Sequence, residues 1–384
     1  MHSLRIPQWY LSASFFLFSL GSYYFYQINL YLFQLIGILF FLLVGNKNSF
    51  KLDLNIFVLI AYIFFSSVIL SIFNSSHLTL SRILLPVLLF SYCVFLNIFF
   101  IQYSYASNRA IYFALSLNLF FFYLQFFCYV IFGIYIDYLE IITGEVQRAF
   151  GSTYDLGFYL INFRPTGLFN EPGTYSTWMM LIYIIYKLNL VRLGENKKQL
   201  LFDILFTLSV FLTFSIFGFI FLAIYLLSSA SNNLKKSYKY LILFSAIYIF
   251  YLYINARFSS NIIYARDTSI DFRQMAIILY YNNLDLINIF FGLGVFNDFF
   301  LNYNIVGKDL GFLFSALTST GLIGLILLIK SIYSRKTILY AYPLIIVLCL
   351  TKFTYTSALI WFAIYYLVVL KNEKYDYSLA QNDC

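Results

Sequence analysis

The chain has 384 residues, of which 62% are hydrophobic, 23% are aromatic and only 10% are charged, with a formal net charge of +8. A soluble domain of this length could not carry that composition without a very large exposed apolar surface, so a soluble globular protein is excluded. The composition indicates instead an all-α, polytopic membrane protein whose chain crosses the bilayer repeatedly as helices.

Apolar segments of suitable length recur from one end of the chain to the other. About 30 Å of hydrocarbon is crossed by a helix of roughly 17–25 residues, and a few of the segments here are shorter. We predict a bundle of about twelve spans, so that residues 1–384 form a single integral membrane domain. The predicted spans are 9–26, 28–44, 54–73, 82–101, 110–136, 174–190, 200–214, 216–230, 240–255, 311–330, 338–351 and 353–370. The seventh and eighth share a break at Ser215-Ile216-Phe217-Gly218 and could instead form one bent helix.

The distribution of basic residues predicts the orientation. With both termini in the cytoplasm, sixteen of the 24 lysines and arginines lie on the cytoplasmic side, where lysine dominates, as the positive-inside rule expects. The other eight lie outside and are mostly arginines, which that rule does not explain: Arg82, Arg148, Arg164, Arg257, Arg266, Arg273, Lys308 and Lys352.

Cysteine and histidine give no sign of a metal site. Cys93, Cys128 and Cys349 lie in apolar spans and Cys384 is terminal, so no metal-ligand spacing is visible. Because His2 and His77 are the only histidines, we predict neither a metal nor a cofactor.

Two segments are too polar to cross the membrane and too long to be tight turns. Outer loop one, residues 137–173, joins the fifth and sixth spans, and outer loop two, residues 256–310, joins the ninth and tenth. In the predicted topology both lie outside, and we expect short helices in them.

Outer loop one ends in the run Arg164-Pro165-Thr166-Gly167-Leu168-Phe169-Asn170-Glu171-Pro172-Gly173. Because proline suits the first turn of a helix, we predict a helix that begins at Pro172 and is capped by Asn170 or Glu171. A helix start attracts phosphate, and Arg148 and Arg164 could grip phosphate oxygens with paired hydrogen bonds. The alternative is a solvated loop whose arginines pair with Glu140, Glu145 and Asp155.

Outer loop two contains a second helix signal. Thr268-Ser269-Ile270-Asp271 has capping-box spacing and predicts a helix that runs to about Tyr281. Arg266 and Arg273 could then approach one anion near the start of this helix. The alternative is a surface helix whose arginines pair with Asp267 and Asp271.

Farther along outer loop two, Gly292-Leu293-Gly294 permits a turn, and Asp309-Leu310-Gly311 leads into the tenth span. A single Gly-x-Gly is weak evidence, and neither loop has the spacing of a nucleotide-binding fingerprint.

These motifs together resemble a known family. The first run has the form Arg-x-x-Gly-x-Phe-x-Glu-Pro, a Ser-x-x-Gly break follows it, and an arginine-rich outer loop with Gly-x-Gly precedes an Asp-x-Gly-led span. This layout, over most of the chain, resembles the Wzy-type polymerases of bacterial O-antigen or capsular polysaccharide. The matching residues are Arg164, Gly167, Phe169, Glu171, Pro172, Ser215, Gly218, Arg257, Arg266, Arg273, Gly292, Gly294, Asp309 and Gly311.

The resemblance implies a metal-independent glycosyltransferase of the bacterial inner membrane. Such an enzyme transfers a growing glycan from undecaprenyl pyrophosphate onto the next lipid-linked repeat unit at the outer face, for lipopolysaccharide or capsule. The implied partners are the undecaprenyl-pyrophosphate-linked oligosaccharide and membrane lipids. A chain-length regulator is a candidate partner, and no nucleic acid is expected.

The resemblance also implies roles for the outer residues. Arginines near the pyrophosphate would stabilise the charge that grows as the glycosidic bond breaks, and a carboxylate would accept the proton of the acceptor hydroxyl. Glu171 is the first candidate for that base, followed by Asp298 and Asp309. The expected pyrophosphate-binding residues are Arg148, Arg164, Arg257, Arg266 and Arg273, of which Arg164, Arg266 and Arg273 are also counted as catalytic.

Two other functions stay open. The related O-antigen ligases use a histidine in the second outer loop, and this chain has none there, which favours a polymerase. A flippase or other transporter would carry charges within its helices. The predicted spans contain almost no charged residues, and Asp203, which is one of the few, lies close to a cytoplasmic end.

Overall fold

The computed structural model describes most of the chain. The described residues are 7–19, 24–25, 28–29, 38, 53–70, 80–144, 146–150, 154–155, 160–161, 163–195, 199–229, 248, 251, 268–282, 284–295, 311–351, 355 and 357–372. Within them lie thirteen α-helices: α1 Gln8–Ser19, α2 Leu54–Phe65, α3 Leu80–Asn97, α4 Ser104–Phe132, α5 Tyr138–Thr143, α6 Pro172–Arg192, α7 Leu200–Leu212, α8 Ile216–Ser229, α9 Thr268–Asn282, α10 Leu286–Phe291, α11 Phe312–Ile332, α12 Arg335–Leu350 and α13 Ala358–Asn372. Single π-helical turns, Ser66–Leu70 and Ile98–Gln102, continue α2 and α3.

The helical class predicted from the composition is confirmed. Three described helical stretches are long and apolar enough to cross a membrane, namely Leu85–Gln102, Ser104–Phe132 and Phe312–Ile332. Shorter apolar helices occupy Leu54–Val68, Leu200–Leu212, Ile216–Tyr225, Tyr340–Leu350 and Ala358–Asn372. The count of twelve spans stays a prediction, and the predicted spans 28–44 and 240–255 lie almost wholly outside the described residues.

The first predicted span is wrong at its end. Helix α1 occupies Gln8–Ser19, but Tyr24–Phe25 (β1) forms a short antiparallel pair with Ile28–Asn29 (β2). Aromatic and β-branched side chains favour such extended pairing over a helix. A second pair of this size joins Tyr154–Asp155 (β3) to Leu160–Ile161 (β4) within outer loop one.

The chain divides into two compact units, of which unit 1 comprises Met1–Ser22, Leu30–Ala110 and Ser269–Lys374. Helix α13 lies at the centre of unit 1, and its residues from Ala358 to Leu370 are all buried. Its Phe362 ring lies 5.0 Å from that of Phe15 in α1, which in turn stacks at 4.9 Å on Phe99. Such aromatic packing buries a large apolar area, so α13 is a core helix of this unit.

Unit 2 comprises Tyr23–Asn29, Ile111–Thr268 and Tyr375–Cys384, and α6 is its central helix. At one end of α6, the Ser176 hydroxyl hydrogen bonds to that of Thr213, the residue that follows α7, at 2.8 Å and close to Gly218 in α8. Farther along α6, the Tyr183 ring stacks on Phe206 of α7 at 3.7 Å and contacts Tyr225 of α8. Contacts that advance along α6 therefore run backwards along α7 and forwards along α8.

Helices α7 and α8 consequently form an antiparallel hairpin rather than one bent helix. The turn between them contains Phe214, whose φ is 45°, a left-handed conformation that a continuing helix cannot contain. Helix α4 is also antiparallel to α6, since Phe122 stacks on Tyr175 at 4.6 Å and Tyr112 lies 5.7 Å from Tyr186. The end of α4, the start of α6 and the α7–α8 turn therefore lie at the same end of unit 2.

Candidate functional site

The start of α6 has the geometry predicted for it. Pro172 occupies the first turn, and Glu171 is the N-cap residue with extended backbone angles of φ −146° and ψ 154°. The Glu171 carboxylate does not cap the helix, but its Oε1 accepts a hydrogen bond of 3.2 Å from the Thr174 hydroxyl. This predicted helix start is confirmed, and it leaves the Glu171 carboxylate partly exposed beside the first turn.

Two buried glutamines hold the run that precedes α6. Gln125 in α4 accepts hydrogen bonds from the backbone amides of Thr166 (2.8 Å) and Gly167 (3.1 Å) through its Oε1. Gln147 donates through its Nε2 to the carbonyls of Gly167 (2.6 Å) and Phe169 (3.0 Å). The two side chains are themselves joined at 2.8 Å. The run is therefore anchored by hydrogen bonds from both sides.

A second layer orients Gln147. Asp137 accepts hydrogen bonds from two backbone amides, that of Gln147 through Oδ2 and that of Glu140 through Oδ1, both at 2.8 Å. The bond to Glu140 caps α5. The Tyr135 phenol, which lies past the end of α4, donates to Gln147 Oε1 at 3.0 Å. Burial raises the pKa of Tyr135, and the Asp137 and Glu140 carboxylates raise that pKa further. The phenol is therefore protonated and available as a donor throughout the physiological pH range.

Backbone hydrogen bonds link the segments of outer loop one that carry the candidate residues Arg148 and Arg164. The Arg148 amide donates to the Asn170 carbonyl at 2.7 Å, and the Arg164 amide donates to the Ala149 carbonyl at 3.0 Å. Arg148 thus lies beside the residue that precedes Glu171, while Arg164 lies beside the residue that follows Arg148. Arg148 is exposed, and Arg164 and Glu171 are partly buried.

A tight turn at Gly167 permits this arrangement. Its φ is +57°, and a Cβ at this position would lie 3.4 Å from the Tyr175 ring and 3.5 Å from Phe122. Glycine adopts a positive φ without the strain that a side chain would introduce. Below the turn, the Phe169 ring lies 5.3 Å from Trp178, so the polar run sits on an aromatic layer.

Two polar side-chain atoms of the run have no partner among the described residues. The Thr166 hydroxyl and the side-chain oxygen of Asn170 are both buried without a hydrogen bond there. Buried polar groups are nearly always paired, so an unpaired acceptor next to Glu171 is a place where a ligand hydroxyl could donate.

The opposite end of α6 carries a different polar cluster. Lys187 Nζ lies 2.6 Å from Asp203 Oδ1, and the Tyr183 phenol donates to the same carboxylate at 2.8 Å. Lys187 follows Glu171 by sixteen residues, which corresponds to roughly 24 Å along a helix. This ion pair is therefore remote from Glu171, as the predicted topology requires for Asp203.

Outer loop two is described only in part. Helix α9 spans Thr268–Asn282, which confirms the helix predicted from the capping-box spacing, and Arg273 lies in its second turn. The Arg273 side chain and residues Arg257, Arg266, Asp298 and Asp309 lie outside the described part of the chain. The convergence of both outer loops on one anion remains a prediction.

Gln125 and Gln147 were not predicted as site residues. The signal for Gln125 was a polar residue inside the apolar segment 110–136, whereas Gln147 has no distinguishing local pattern. Within the described ranges, no group of three or more His, Cys, Asp or Glu side chains is arranged so that it could hold a metal ion. No family model matches this chain, and neither a curated protein nor a solved structure matches it.

Replacement of Gln147 by alanine is expected to release the Arg164–Gly173 run. The change removes the donor to two loop carbonyls, and each buried group left unpaired costs about 1–3 kcal/mol. We expect a lower unfolding midpoint in detergent and faster proteolysis of outer loop one in spheroplasts. Gln274→Ala, at an exposed position of α9, is the matched control. Equal behaviour of the two variants would contradict the anchoring role of Gln147.

Proposed function

We propose that the chain is a membrane polysaccharide polymerase, which transfers a growing glycan from undecaprenyl pyrophosphate onto the next lipid-linked repeat unit at the outer face of the cytoplasmic membrane. The observation that carries the proposal is the backbone pairing of Arg148 with Asn170 and of Arg164 with Ala149. This pairing brings the backbones of two cationic residues close to the start of an apolar helix that carries a carboxylate, and so supports an anion site there.

The chemistry of the proposed step matches these residue types. The acceptor hydroxyl oxygen bonds to the anomeric carbon of the growing chain, whose bond to the pyrophosphate oxygen breaks. The hydroxyl proton passes to a carboxylate, for which Glu171 is the candidate base. Undecaprenyl pyrophosphate leaves with the bonding electrons, and guanidinium groups stabilise that added negative charge.

The surroundings of Glu171 support an acceptor site there. The Asn170 side-chain oxygen is a buried acceptor with no described partner, and it lies next to Glu171 in the chain. A sugar hydroxyl that donates to Asn170 would be bound beside the residue that carries the carboxylate, and general base catalysis requires the hydroxyl to be positioned near its base. The apolar helices beside the site suit the polyprenyl tail of the carrier.

Reconstitution tests this function against its alternatives. The purified protein is placed in liposomes with undecaprenyl-pyrophosphate-linked repeat units from the cells that carry the gene. We expect longer carrier-linked glycans and one released undecaprenyl pyrophosphate for each linkage formed. Redistribution of the lipid-linked units between leaflets without longer glycans would instead identify a flippase. Transfer only to a different acceptor would identify a ligase.

Glu171→Gln is expected to stop chain lengthening in this assay without abolishing binding of the carrier lipid. Glutamine keeps the size of the side chain and can still hydrogen bond to Thr174, but it cannot accept the hydroxyl proton at neutral pH. The control is Glu140→Gln, since Glu140 is exposed in the same outer loop. An unchanged glycan length in the Glu171 variant would remove this residue as the base.

A further inference from the structure

Helix α11 is interrupted near its middle. Gly321 has φ 63° and ψ −168°, which is not helical, although residues on both sides of it are. Such a break releases backbone carbonyls of the preceding turn, and in a bilayer each of these needs another donor. The hydrogen bonds of Thr318, Ser319 and Thr320 therefore decide how a helix of this kind can be stable.

The donors come from outer loop two and from α2. The Leu293 and Gly294 amides donate to the carbonyls of Thr318 (2.8 Å) and Ser319 (3.0 Å). The Tyr62 phenol of α2 donates to the carbonyl of Thr320 at 3.0 Å. The Gly292-Leu293-Gly294 turn, which the sequence suggested only as a turn, thus binds directly to the interrupted helix.

Two glycines allow this close approach. A Cβ at Gly292 would lie 2.6 Å from the Gly321 nitrogen, and a Cβ at Gly321 would lie 2.5 Å from the Gly292 nitrogen. Both distances are far below ordinary van der Waals contact. The backbones at these two positions meet in a way that only glycine permits.

The position of the break sets the depth of the turn. Helix α11 has 21 residues, so it is about 32 Å long and sufficient to cross the hydrocarbon. Gly321 follows Phe312 by nine residues, which places it roughly 14 Å from the start of α11. The residues that bind there lie at the same level along α11.

The two ends of the segment that contains α10 lie near the same part of α11. Leu284, before α10, and Leu293, after it, belong to one apolar cluster that includes Phe314 near the start of α11. Between them, the Phe290 carbonyl approaches Gly321. The segment therefore passes from the level of Phe314 to that of Gly321, and at Leu293 it turns back toward Phe314, as a re-entrant hairpin does.

The outward face of α10 is apolar. Leu286 and Ile287 are 74% and 63% exposed, and Phe290 is 47% exposed. Three large apolar side chains on a six-residue helix are costly in water but favourable among acyl chains. Their exposure at this level along α11 points to lipid as their neighbour.

We propose that residues 286–294 form a re-entrant element in the half of the bilayer that holds the start of α11, docked into the break of α11, with the apolar face of α10 against lipid acyl chains. The proposal requires that α11 crosses the membrane, and it is independent of the polymerase chemistry. It divides the predicted outer loop two, because one part of that loop then lies within the hydrocarbon.

Site-directed spin labelling tests the depth of this segment. The four native cysteines are replaced, and single cysteines are introduced at Ile287 and Phe290, with Leu286 as a second exposed position. Ile326, which is 61% exposed beyond the break in α11, is the lipid control, and Val146, which is 66% exposed in outer loop one, is the water control. Relaxation by oxygen reports lipid exposure, and relaxation by a nickel chelate reports water exposure.

We expect the ratio of oxygen to nickel accessibility at Ile287 and Phe290 to equal that at Ile326 and to exceed that at Val146 several-fold. Nickel-dominated relaxation at Ile287 and Phe290, with oxygen-dominated relaxation at Ile326, would overturn the re-entrant element alone. Nickel-dominated relaxation at Ile326 as well would overturn both this element and the membrane crossing of α11. Neither result would bear on the reconstituted polymerisation assay, so the two proposals fail separately.

Discussion

Replacement of Arg164 by alanine is expected to abolish long-chain polysaccharide on a gel, while the amount of protein in the membrane stays normal. The guanidinium group can make two parallel hydrogen bonds to a pyrophosphate, and hydrogen bonds to charged groups contribute about 1.5–3 kcal/mol each. If these bonds form mainly as charge develops on the leaving group, their loss slows transfer by about 100-fold or more.

Lysine at position 164 should restore only part of the activity, because an ammonium group keeps the positive charge but cannot make the bidentate hydrogen bonds of a guanidinium group. Arg335→Ala is the matched control, since Arg335 is exposed at the start of α12 and is predicted to be cytoplasmic. We expect alanine at Arg266 or Arg273 to act like alanine at Arg164. Normal chain length in well-expressed Arg164→Ala protein would exclude the pyrophosphate-binding role.

Gly292→Ala is expected to disrupt the docking of the 292–294 turn and to destabilise unit 1. The new Cβ would lie 2.6 Å from backbone atoms of Gly321 and Ser319, at a φ of +82°. With ψ at −176°, Gly292 lies in a backbone region that is occupied almost only by glycine, and a residue with a side chain there costs about 1–3 kcal/mol. The overlap with α11 adds about 1–3 kcal/mol, because the neighbours are backbone atoms that cannot move aside cheaply.

The controls separate these two costs. Gly133 and Gly194 also have positive φ angles, of +68° and +67°, but a Cβ at either position meets nothing within 4 Å. Gly133→Ala and Gly194→Ala should therefore show the cost of a positive φ without any overlap with neighbouring atoms. Thermal unfolding in detergent measures the difference, and a Gly292 variant as stable as the two controls would contradict the close backbone contact.

Several features of the fold could be predicted because they depend on residues close together in the chain. Continuous apolar runs predicted the helices, Pro172 predicted the start of α6, and the Thr268–Asp271 spacing predicted α9. Helix ends were predicted less accurately than helices. At Tyr24–Phe25, for example, a β pair replaces the helix expected there. That pairing depends on a partner strand rather than on the apolar content of the segment.

The site was only partly predictable for a similar reason. The run from Arg164 to Pro172 was recognisable from its composition, and Arg148 was a candidate because of its charge alone. The glutamine pair was missed, because Gln125 and Gln147 are separated by 22 residues and acquire their role only through hydrogen bonds between loop and helix. The binding of the Gly292–Gly294 turn to α11 could not be predicted either, since a Gly-x-Gly pattern does not specify which part of the chain it binds.

The amino-acid sequence by itself determined that this protein is helical and apolar, that its positive charge is concentrated in polar segments, and where α6 begins. These properties follow from composition and from interactions within one or two helical turns. Only the tertiary structure decided that Arg148 pairs with Asn170 and Arg164 with Ala149, that α7 and α8 form a hairpin, and that α11 is interrupted at Gly321. Each of these depends on hydrogen bonds or packing between residues far apart in the chain, which no local pattern encodes.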